Sequence, residues 1–203
     1  MSIGECHLPQ AAINELWPRL EFEPGSGIER VTLRQGKEED LLLLLEGSEP
    51  NPPAFELDLP LSAIYSAPTG EIVLSGENGL LLSVHERDFL VSATSFFQVH
   101  TAQAAQMVTW LLENLPLTPQ TTLLEVYCGV GLFSAFLAPH VARLIGVELA
   151  PSACEDFAAN LDEFEHVELY VGAAEEVLPA LNLRPDLRSE EHTSELQSPN
   201  TIS

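Results

Sequence analysis

The spacing of apolar and polar residues changes character about halfway along the chain, near Thr101. Upstream of it, apolar residues occur in short runs bounded by turn-forming residues, a pattern typical of β-strands. The runs at 28–35 and 40–47 predict two strands that pair around the polar turn GKEED. Residues 1–90 are therefore predicted to form a β-rich segment.

A hairpin and a proline-rich stretch are also expected within this segment. The stretch 71–92 predicts a hairpin with GENG at 76–79 as its turn, because glycine and asparagine favour tight turns. Prolines cannot donate backbone hydrogen bonds, so the stretch 51–60 is predicted to be a loop or an edge segment.

Downstream of Thr101, a helix is followed by alternating strands and helices. The apolar face of the first helix comprises residues 104, 107, 108, 111, 112 and 115. The following runs predict strands at 122–129, 141–149 and 166–172 and helices at 132–140, 151–164 and 173–181. This alternation predicts an α/β fold with a parallel, wound sheet, and mainly apolar strands are expected where helices cover both faces. We assign this domain to residues 91–187.

Two glycines follow the first of these strands and precede a helix. Gly129 and Gly131 allow a tight turn and the close approach of a ligand. The next strand ends at Glu148, 19 residues after Gly129. An acidic residue about 20 residues after such a turn accepts hydrogen bonds from ribose hydroxyls. The spacing therefore predicts a nucleotide-like ligand at this turn.

Glu125 distinguishes between two classes of ligand. Dinucleotide-binding turns read G-x-G-x-x-G, whereas this chain has Ser134 at the third position. A carboxylate four residues before Gly129 would repel a pyrophosphate, but it suits a cationic amino group such as that of S-adenosylmethionine. This favours the methyl donor over a dinucleotide. The alternative for Glu125 is a carboxylate that is satisfied at the helix N-terminus.

Four segments between about Phe89 and Leu181 resemble one enzyme family: DFLVSATSFFQVHTAQAAQMV, LLEVYCGVGLFSAFLA, IGVELAPSACEDFAANL and VELYVGAAEEVLPAL. They are similar to the catalytic domain of the S-adenosylmethionine-dependent RNA uracil-5-methyltransferases, which form 5-methyluridine in transfer and ribosomal RNA. The resemblance implies an incomplete Rossmann-like (class I) methyltransferase domain after the β-rich segment. It also implies S-adenosylmethionine as cofactor and RNA as partner, with ribosomal RNA favoured over transfer RNA.

By this resemblance, five residues are candidates for cofactor binding: Gln98, Tyr127, Gly129, Gly131 and Glu148. Gln98 corresponds to a glutamine that contacts the cofactor, Tyr127 to the aromatic residue before the glycines, and Glu148 to the ribose-binding acid. For Gln98 and Tyr127 the alternative is structural, since a buried glutamine often braces a loop and a tyrosine can belong to the core.

Other positions depart from the family pattern or have no assigned role. Ala173 stands where some members have an asparagine near the adenine, and His100 stands where asparagine is frequent. Cys128 and Cys154 are interpreted as buried packing residues, because the family's nucleophilic cysteine lies farther downstream. Cys6 resembles the last cysteine of an iron–sulfur cluster in some relatives, but one cysteine cannot hold a cluster. No metal is therefore predicted, and no catalytic residue is assigned.

The last residues differ in kind from the rest of the chain. A fourth strand is expected to begin near 184–187, where the family has an Asp-Pro-Pro/Ala-Arg motif, but the sequence continues as RSEEHTSELQS. That string resembles a translated sequencing adaptor, so residues 188–203 are interpreted as a non-native tail; the alternative is a natural polar tail. The fourth strand, its motif, the nucleophile and the general base are expected to be absent, and the chain is predicted to be inactive.

Charge provides an argument against the RNA partner. The chain has 31 Asp and Glu against 8 Lys and Arg, a net charge of −23, whereas phosphate binding relies on basic residues. The charge favours a methyltransferase acting on a small molecule or protein, and a non-catalytic binding module is a further alternative. No apolar run reaches the roughly 18 residues of a membrane span, and no signal peptide is visible. A cytoplasmic protein is therefore expected.

Overall fold

The computed structural model describes residues 11–53 and 59–190. It divides into two compact units, Met1–Thr94 and Ser95–Ser203, which we call the N-terminal and the C-terminal unit. Each is described by itself below. The domain boundaries that were drawn from the sequence stay predictions.

The N-terminal unit is built mainly from β-strands. Its elements are α1 (Ala11–Leu16), β1 (Ile28–Gln35), β2 (Leu41–Gly47), β3 (Ser62–Ala67), β4 (Gly70–Ser75), β5 (Gly79–Val84) and β6 (Arg87–Ser92). Strands β1 and β2 pair antiparallel, with Val31 opposite Leu45, which confirms the predicted pair. Strand β3 lies parallel to β2, and β4 completes a sheet in the order β1-β2-β3-β4. Within the predicted loop at 51–60, residues 54–58 lie outside the described part of the chain.

The hairpin within residues 71–92 has a different turn from the one predicted. Strand β4 pairs with β3, whereas β5 and β6 form a hairpin around His85 and Glu86. These two residues have φ values of 47° and 64°, and positive φ at both turn positions matches the twist of paired strands. The assignment of the hairpin turn to residues 76–79 was wrong. The actual turn residues, His85 and Glu86, are neither glycine nor asparagine, so the sequence did not mark them as a turn.

Strand β2 is the centre of the N-terminal unit, with side chains buried on both of its faces. Successive side chains of a strand point to opposite faces. Leu43 and Leu45 accordingly belong to one apolar cluster, and Leu42 and Leu44 belong to another. Tyr65 of β3 is fully buried in the first cluster, and its hydroxyl donates to a backbone carbonyl oxygen at 2.8 Å.

A surface ion pair joins the β1–β2 connection to β6. Lys37 is the only lysine of the chain, and its Nζ lies 2.7 Å from Asp88 Oδ2. Asp88 also accepts a hydrogen bond from Ser83 Oγ at 2.5 Å. The hydrogen bond to Asp88 raises the pKa of the Lys37 amine.

The C-terminal unit is a parallel α/β sheet with helices between its strands. Its elements are α2 (Thr101–Asn114), β7 (Thr122–Val126), α3 (Leu132–Leu137), β8 (Arg143–Glu148), α4 (Pro151–Asn160), β9 (Val167–Val171), α5 (Ala174–Ala180) and β10 (Leu187–Glu190). The strands run parallel in the order β10-β7-β8-β9. The predicted α/β class is confirmed, as are the three predicted strands and the helices that follow them.

A fourth parallel strand is present, although the sequence analysis expected it to be absent. Strand β10 pairs with β7, with Leu187 opposite Leu123, and it begins where the fourth strand was expected to begin. Residues 188–190 of this strand come from the stretch that was interpreted as a non-native tail. A parallel ladder is made by backbone groups, so these three polar residues can continue the strand that begins at Leu187. The origin of residues 188–203 stays a prediction.

Helix α2 is capped by His100 and buries only part of its predicted apolar face. The His100 Nδ1 atom accepts a hydrogen bond from a backbone N–H of the first turn at 3.2 Å, which is the capping role that asparagine often has. Ala104 and Val108 are buried, and Met107 is 41% exposed. The other predicted positions, Leu111, Leu112 and Leu115, are half-buried.

Candidate functional site

The connection between β7 and α3 is made by residues with positive φ. We call residues 127–131 the glycine turn; within it, φ is 61° at Tyr127, 54° at Gly129 and 85° at Gly131. The Tyr127 N–H donates to the carbonyl oxygen of Val147 in β8 at 2.8 Å. Glycine adopts positive φ freely, whereas a residue with a Cβ is strained by about 1–2 kcal/mol.

The two glycines have different surroundings. A Cβ at Gly131 would collide with the side chain of Leu161 and would lie 3.0 Å from that of Phe157. A Cβ at Gly129 would meet no other atom within 4 Å. Gly131 therefore allows helix α4 to pack closely against the turn, and Gly129 leaves open space where a ligand can approach the backbone.

Glu148 lies at the carboxyl end of β8, with its carboxylate held by three backbone donors. Its Oε2 accepts from the Gly129 N–H at 3.0 Å. Its Oε1 accepts from the N–H groups of Leu149 and Ala150 at 2.7 and 2.8 Å. These bonds fix the carboxylate beside the open side of the glycine turn, which is the proximity that the sequence spacing implied.

Gln98 and Tyr127 line one cleft together with the glycine turn. The residues lining this cleft are Phe96, Phe97, Gln98, Tyr127, Cys128, Gly129, Val130, Leu132 and Phe133. Gly131 belongs to the same turn, and Glu148 is bonded to Gly129. The structure thus brings the five predicted cofactor-binding residues to one place, and their roles in binding stay predictions.

Glu125 is a buried structural carboxylate. Its side chain is 4% exposed, and Ser134 Oγ of helix α3 donates to its Oε2 at 2.5 Å. A buried carboxylate needs such a donor, so this bond ties β7 to the first turns of α3. The expectation that Glu125 is available to a cationic amino group is not met, and the alternative of a satisfied carboxylate describes its position.

Cys128 and Cys154 are buried, as the sequence predicted. Burial raises the pKa of both thiols, and the nearby carboxylates of Glu125 and Glu148 raise that of Cys128 further. A thiol with a raised pKa is a poor nucleophile at neutral pH. Both cysteines are therefore packing residues, and Cys6 lies outside the described residues.

Asn160, which the sequence analysis did not single out, contacts the glycine turn. Its Nδ2 donates to the carbonyl oxygen of Val130 at 2.9 Å. Phe157 and Leu161 approach Gly131. They lie three residues before and one residue after Asn160 in the sequence. These are the i, i+3 and i+4 positions of one helix face. This spacing is visible in the sequence, but it indicates a contact with the glycine turn only when the position of α4 is known.

Ala173 is the N-cap residue of helix α5 and makes no side-chain hydrogen bond there. Asparagine is a good N-cap residue, whereas alanine is a poor one. The departure from the family pattern at this position therefore removes a helix cap, in addition to the polar contact that the resemblance associates with the adenine.

The described residues offer neither a metal cluster nor a membrane-spanning helix. Within residues 11–53 and 59–190, no group of three or more His, Cys, Asp or Glu side chains is arranged so that it could hold a metal ion. In the same part of the chain, every helix is too short or too polar to cross a membrane.

Comparison with known proteins assigns the glycine turn and its surroundings to a family. The family model described as tRNA (Uracil-5-)-methyltransferase matches residues 59–192, more than half of the chain. The chain belongs to this family. The matched range contains Gln98, the glycine turn and Glu148, and the assignment confirms the resemblance that the sequence motifs indicated.

Two bacterial RNA methyltransferases illustrate how this uracil-methyltransferase family member relates to longer proteins. It is 38% identical over 109 residues to an uncharacterized RNA methyltransferase of Halalkalibacterium halodurans, covering 53% of the chain and 24% of the relative. It is 31% identical over 121 residues to an uncharacterized RNA methyltransferase of Staphylococcus aureus, covering 57% and 27%. The chain thus spans about a quarter of the length of these curated relatives.

Two solved structures share the fold of this family member. The first is the Pyrococcus abyssi tRNA (uracil-54, C5)-methyltransferase in complex with S-adenosyl-L-homocysteine, with a TM-score of 0.53 and 24% identity over 70% of this chain and 38% of that chain. The second is Trm5b from the same organism, with a TM-score of 0.50 and 14% identity over 83% and 58%. These likenesses confirm a partial Rossmann-like methyltransferase fold.

Proposed function

We propose that the protein containing this chain transfers a methyl group from S-adenosylmethionine to carbon 5 of a uridine in RNA, with ribosomal RNA as the substrate. The observation that carries the proposal is the hydrogen bond between the Gly129 N–H and the Glu148 carboxylate on the open side of the glycine turn. It combines a backbone that a ligand can approach with an acid that can bind ribose, in a chain of the uracil-methyltransferase family.

The residues at the turn fit this cofactor, which supplies an electrophilic methyl group when it is bound. A carboxylate offers about four lone-pair positions, so the three backbone donors leave Glu148 able to accept from a ribose hydroxyl. The open space at Gly129 admits a ligand to the backbone. Gln98 and Tyr127 contribute an amide and an aromatic ring to the lining of the same cleft.

We assign no catalytic residue in the described part of this chain. Methyl transfer to carbon 5 of uracil needs a thiolate that adds to the ring and a base that removes a proton. Cys128 and Cys154 are buried thiols with raised pKa values, which makes them unsuitable for the first task. The 203-residue chain is therefore expected to bind the cofactor without turning over RNA.

The charge of the chain favours a second candidate function. A net charge of −23 repels phosphate groups, which suits a methyltransferase whose acceptor is a small molecule or a protein. Basic side chains can also be engaged within the fold, as Arg143 is with Glu168 in a contact of 2.7 Å. This candidate keeps the cofactor site and changes only the acceptor.

Isothermal titration calorimetry of the 203-residue chain with S-adenosylhomocysteine tests the cofactor site. We expect Glu148→Ala to weaken binding about 10- to 100-fold, because a hydrogen bond to a charged group contributes about 1.5–3 kcal/mol. The matched control is Glu165→Ala, which removes an exposed carboxylate between α4 and β9 and is expected to leave binding unchanged. Binding of NAD in place of S-adenosylhomocysteine would support a dinucleotide enzyme and contradict the proposal.

Methyl incorporation by the complete enzyme tests the acceptor. We expect methyl transfer to carbon 5 of uridine in ribosomal RNA and no transfer to proteins or small molecules. Transfer to transfer RNA alone would correct the substrate, and transfer to a protein or small molecule would support the second candidate. Turnover of uracil-containing RNA by the 203-residue chain would contradict the assignment of no catalytic residue.

A further inference from the structure

One face of helix α4 packs against the glycine turn. Phe157 and Leu161 are 2% and 4% exposed, and both approach the position that a Cβ would take at Gly131. Between them, Asn160 makes a polar contact with the turn, because its Nδ2 donates to the Val130 carbonyl oxygen at 2.9 Å. The same helix face therefore supplies both apolar packing and a directed hydrogen bond.

The hydrogen bond from Asn160 acts on the most adaptable part of the turn backbone. Val130 lies between Gly129 and Gly131, and glycine has little intrinsic preference between positive and negative φ. The peptide unit that joins Val130 to Gly131 could therefore rotate at low cost if nothing held it. Its N–H donates to the Cys128 carbonyl oxygen at 3.0 Å, and its carbonyl oxygen accepts from Asn160.

These contacts fix the turn at both of its glycines. On one side, the Gly129 N–H is held by the Glu148 carboxylate. On the other, the carbonyl oxygen preceding Gly131 is held by Asn160, 30 residues away along the chain. A ligand that binds backbone atoms gains affinity when those atoms are already held in the bound geometry.

We propose that Asn160 is a positioning residue of the cofactor site, which holds the Val130 carbonyl so that the glycine turn is preorganised for the ligand. This inference rests on the proposed function: Asn160 is not among the residues lining the cleft, and its effect on the ligand is assigned to its bond with the Val130 carbonyl. It predicts that loss of the amide donor weakens binding without a matching loss of fold stability.

Two substitutions of Asn160 remove the donor in different ways. Asn160→Ala deletes the amide, and Asn160→Asp replaces it with a carboxylate of similar shape that only accepts hydrogen bonds near neutral pH. We expect either change to weaken S-adenosylhomocysteine binding about tenfold at a pH of about 8, as the loss of one hydrogen bond of roughly 1.4 kcal/mol implies. The measurement is calorimetric titration of the 203-residue chain, together with thermal unfolding of each variant.

Asn114→Asp is the matched control. Asn114 is also the last residue of a helix, and its Nδ2 donates to the Trp110 carbonyl oxygen at 2.8 Å. The substitution therefore removes the same kind of bond, from a residue that is not among those lining the cleft. We expect this variant to lose similar thermal stability and to bind S-adenosylhomocysteine as the unchanged chain does.

The pH dependence of S-adenosylhomocysteine binding by Asn160→Asp distinguishes a positioning role from a purely structural one. A carboxyl group that faces a carbonyl oxygen favours its protonated form, and the protonated group can donate a hydrogen bond again. The ratio of the dissociation constants of Asn160→Asp and the unchanged chain is therefore expected to fall towards one as the pH is lowered from about 8 to about 5. The ratio removes effects that both proteins share, such as protonation of Glu148.

The outcomes separate this inference from the proposed function. If the unchanged chain does not bind S-adenosylhomocysteine, the proposed function fails together with the inference that rests on it. If the unchanged chain binds and both Asn160 variants bind equally well, the function stands and the positioning role is overturned. The positioning role is also overturned if Asn114→Asp loses binding to the same extent. It is likewise overturned if the ratio of the dissociation constants of Asn160→Asp and the unchanged chain does not change with pH.

Discussion

Tyr127 combines an aromatic side chain with a φ of 61°, a conformation that bulky residues avoid. Its N–H donates to the Val147 carbonyl oxygen at 2.8 Å, so the surrounding sheet holds the strained backbone in place. Such strain persists only where neighbouring structure imposes it, and it is concentrated at functional sites. We therefore interpret the strain at Tyr127 as part of the geometry that prepares the glycine turn for a ligand.

The two glycines of the turn are expected to respond differently to the same substitution. Gly131→Ala should lower the free energy of unfolding by about 2–5 kcal/mol, because positive φ and overpacking against Phe157 and Leu161 add together. Gly129→Ala should lower it by only about 1–2 kcal/mol, from positive φ alone. Urea denaturation of both variants measures this difference.

Ligand binding provides the complementary measurement on the glycine variants. Gly129→Ala places a methyl group in the open space at the turn, so it is expected to weaken S-adenosylhomocysteine binding more than its effect on stability would imply. Equal destabilisation by the two substitutions would contradict the separate roles assigned to Gly129 and Gly131.

Single residues also show what the sequence could and could not predict about the site. The spacing from Gly129 to Glu148 predicted one ligand site for both residues. The structure places them within hydrogen-bond distance, because β8 ends at Glu148 beside the turn that follows β7. The partner of Glu125 was not predictable in the same way, since Ser134 faces it only after α3 has formed. Asn160 was missed because its bond to Val130 depends on where one helix packs.

At the scale of elements, strands were predicted well and their connections less well. The strands of the C-terminal unit are apolar runs because they are buried, and burial is what the hydropathy pattern records. The turn at His85 and Glu86 carries no such signal, since neither residue is a typical turn former. Strand β10 was unexpected because pairing with β7 depends on the backbone and on a free sheet edge, which residue identity does not report.

The pairing of β8 with β9 gives the sheet a pH-dependent contact. Arg143 donates from Nε and an Nη atom to both carboxylate oxygens of Glu168, at 2.7 and 2.8 Å. The hydrogen bond to Arg143 lowers the pKa of Glu168. The folded state therefore binds the proton of Glu168 less tightly than the unfolded state does, and the resulting stabilisation is present at neutral pH and lost as the pH falls.

We expect Arg143→Ala to destabilise the protein at neutral pH and to have a smaller effect in acid. The difference in free energy of unfolding from the unchanged chain should shrink as the pH falls below the ordinary glutamate value of about 4.3 and through the lowered pKa of Glu168. Arg184→Ala removes the same charge at an exposed position and is the control. A pH-independent difference between these variants would contradict the role of the Arg143–Glu168 pair.

At the scale of the whole molecule, the dominant property is its net charge of −23. Self-repulsion among like charges destabilises a compact state, and salt screens it. We expect the midpoint of thermal unfolding to rise as sodium chloride is increased from about 10 mM to about 500 mM at neutral pH. At a pH near 4.5, where many carboxylates begin to protonate, the same addition of salt should have a smaller effect.

The salt dependence of unfolding shows how far this net charge is compensated within the fold. A salt-independent midpoint at neutral pH would show that the acidic side chains are already compensated within the fold. The whole molecule could not be predicted beyond this level from the sequence, because the chain spans about a quarter of the length of its curated relatives.

The pairing of Lys37 with Asp88 has a consequence for chemical labelling. Because Lys37 is the only lysine, amine-reactive dyes and cross-linkers can attach to just one side chain besides the N-terminal amine. That side chain lies in the N-terminal unit, so a fluorophore or a solid support attached there leaves the glycine turn chemically unmodified. The raised pKa of its amine slows the coupling at neutral pH, and a more alkaline buffer directs the label to it.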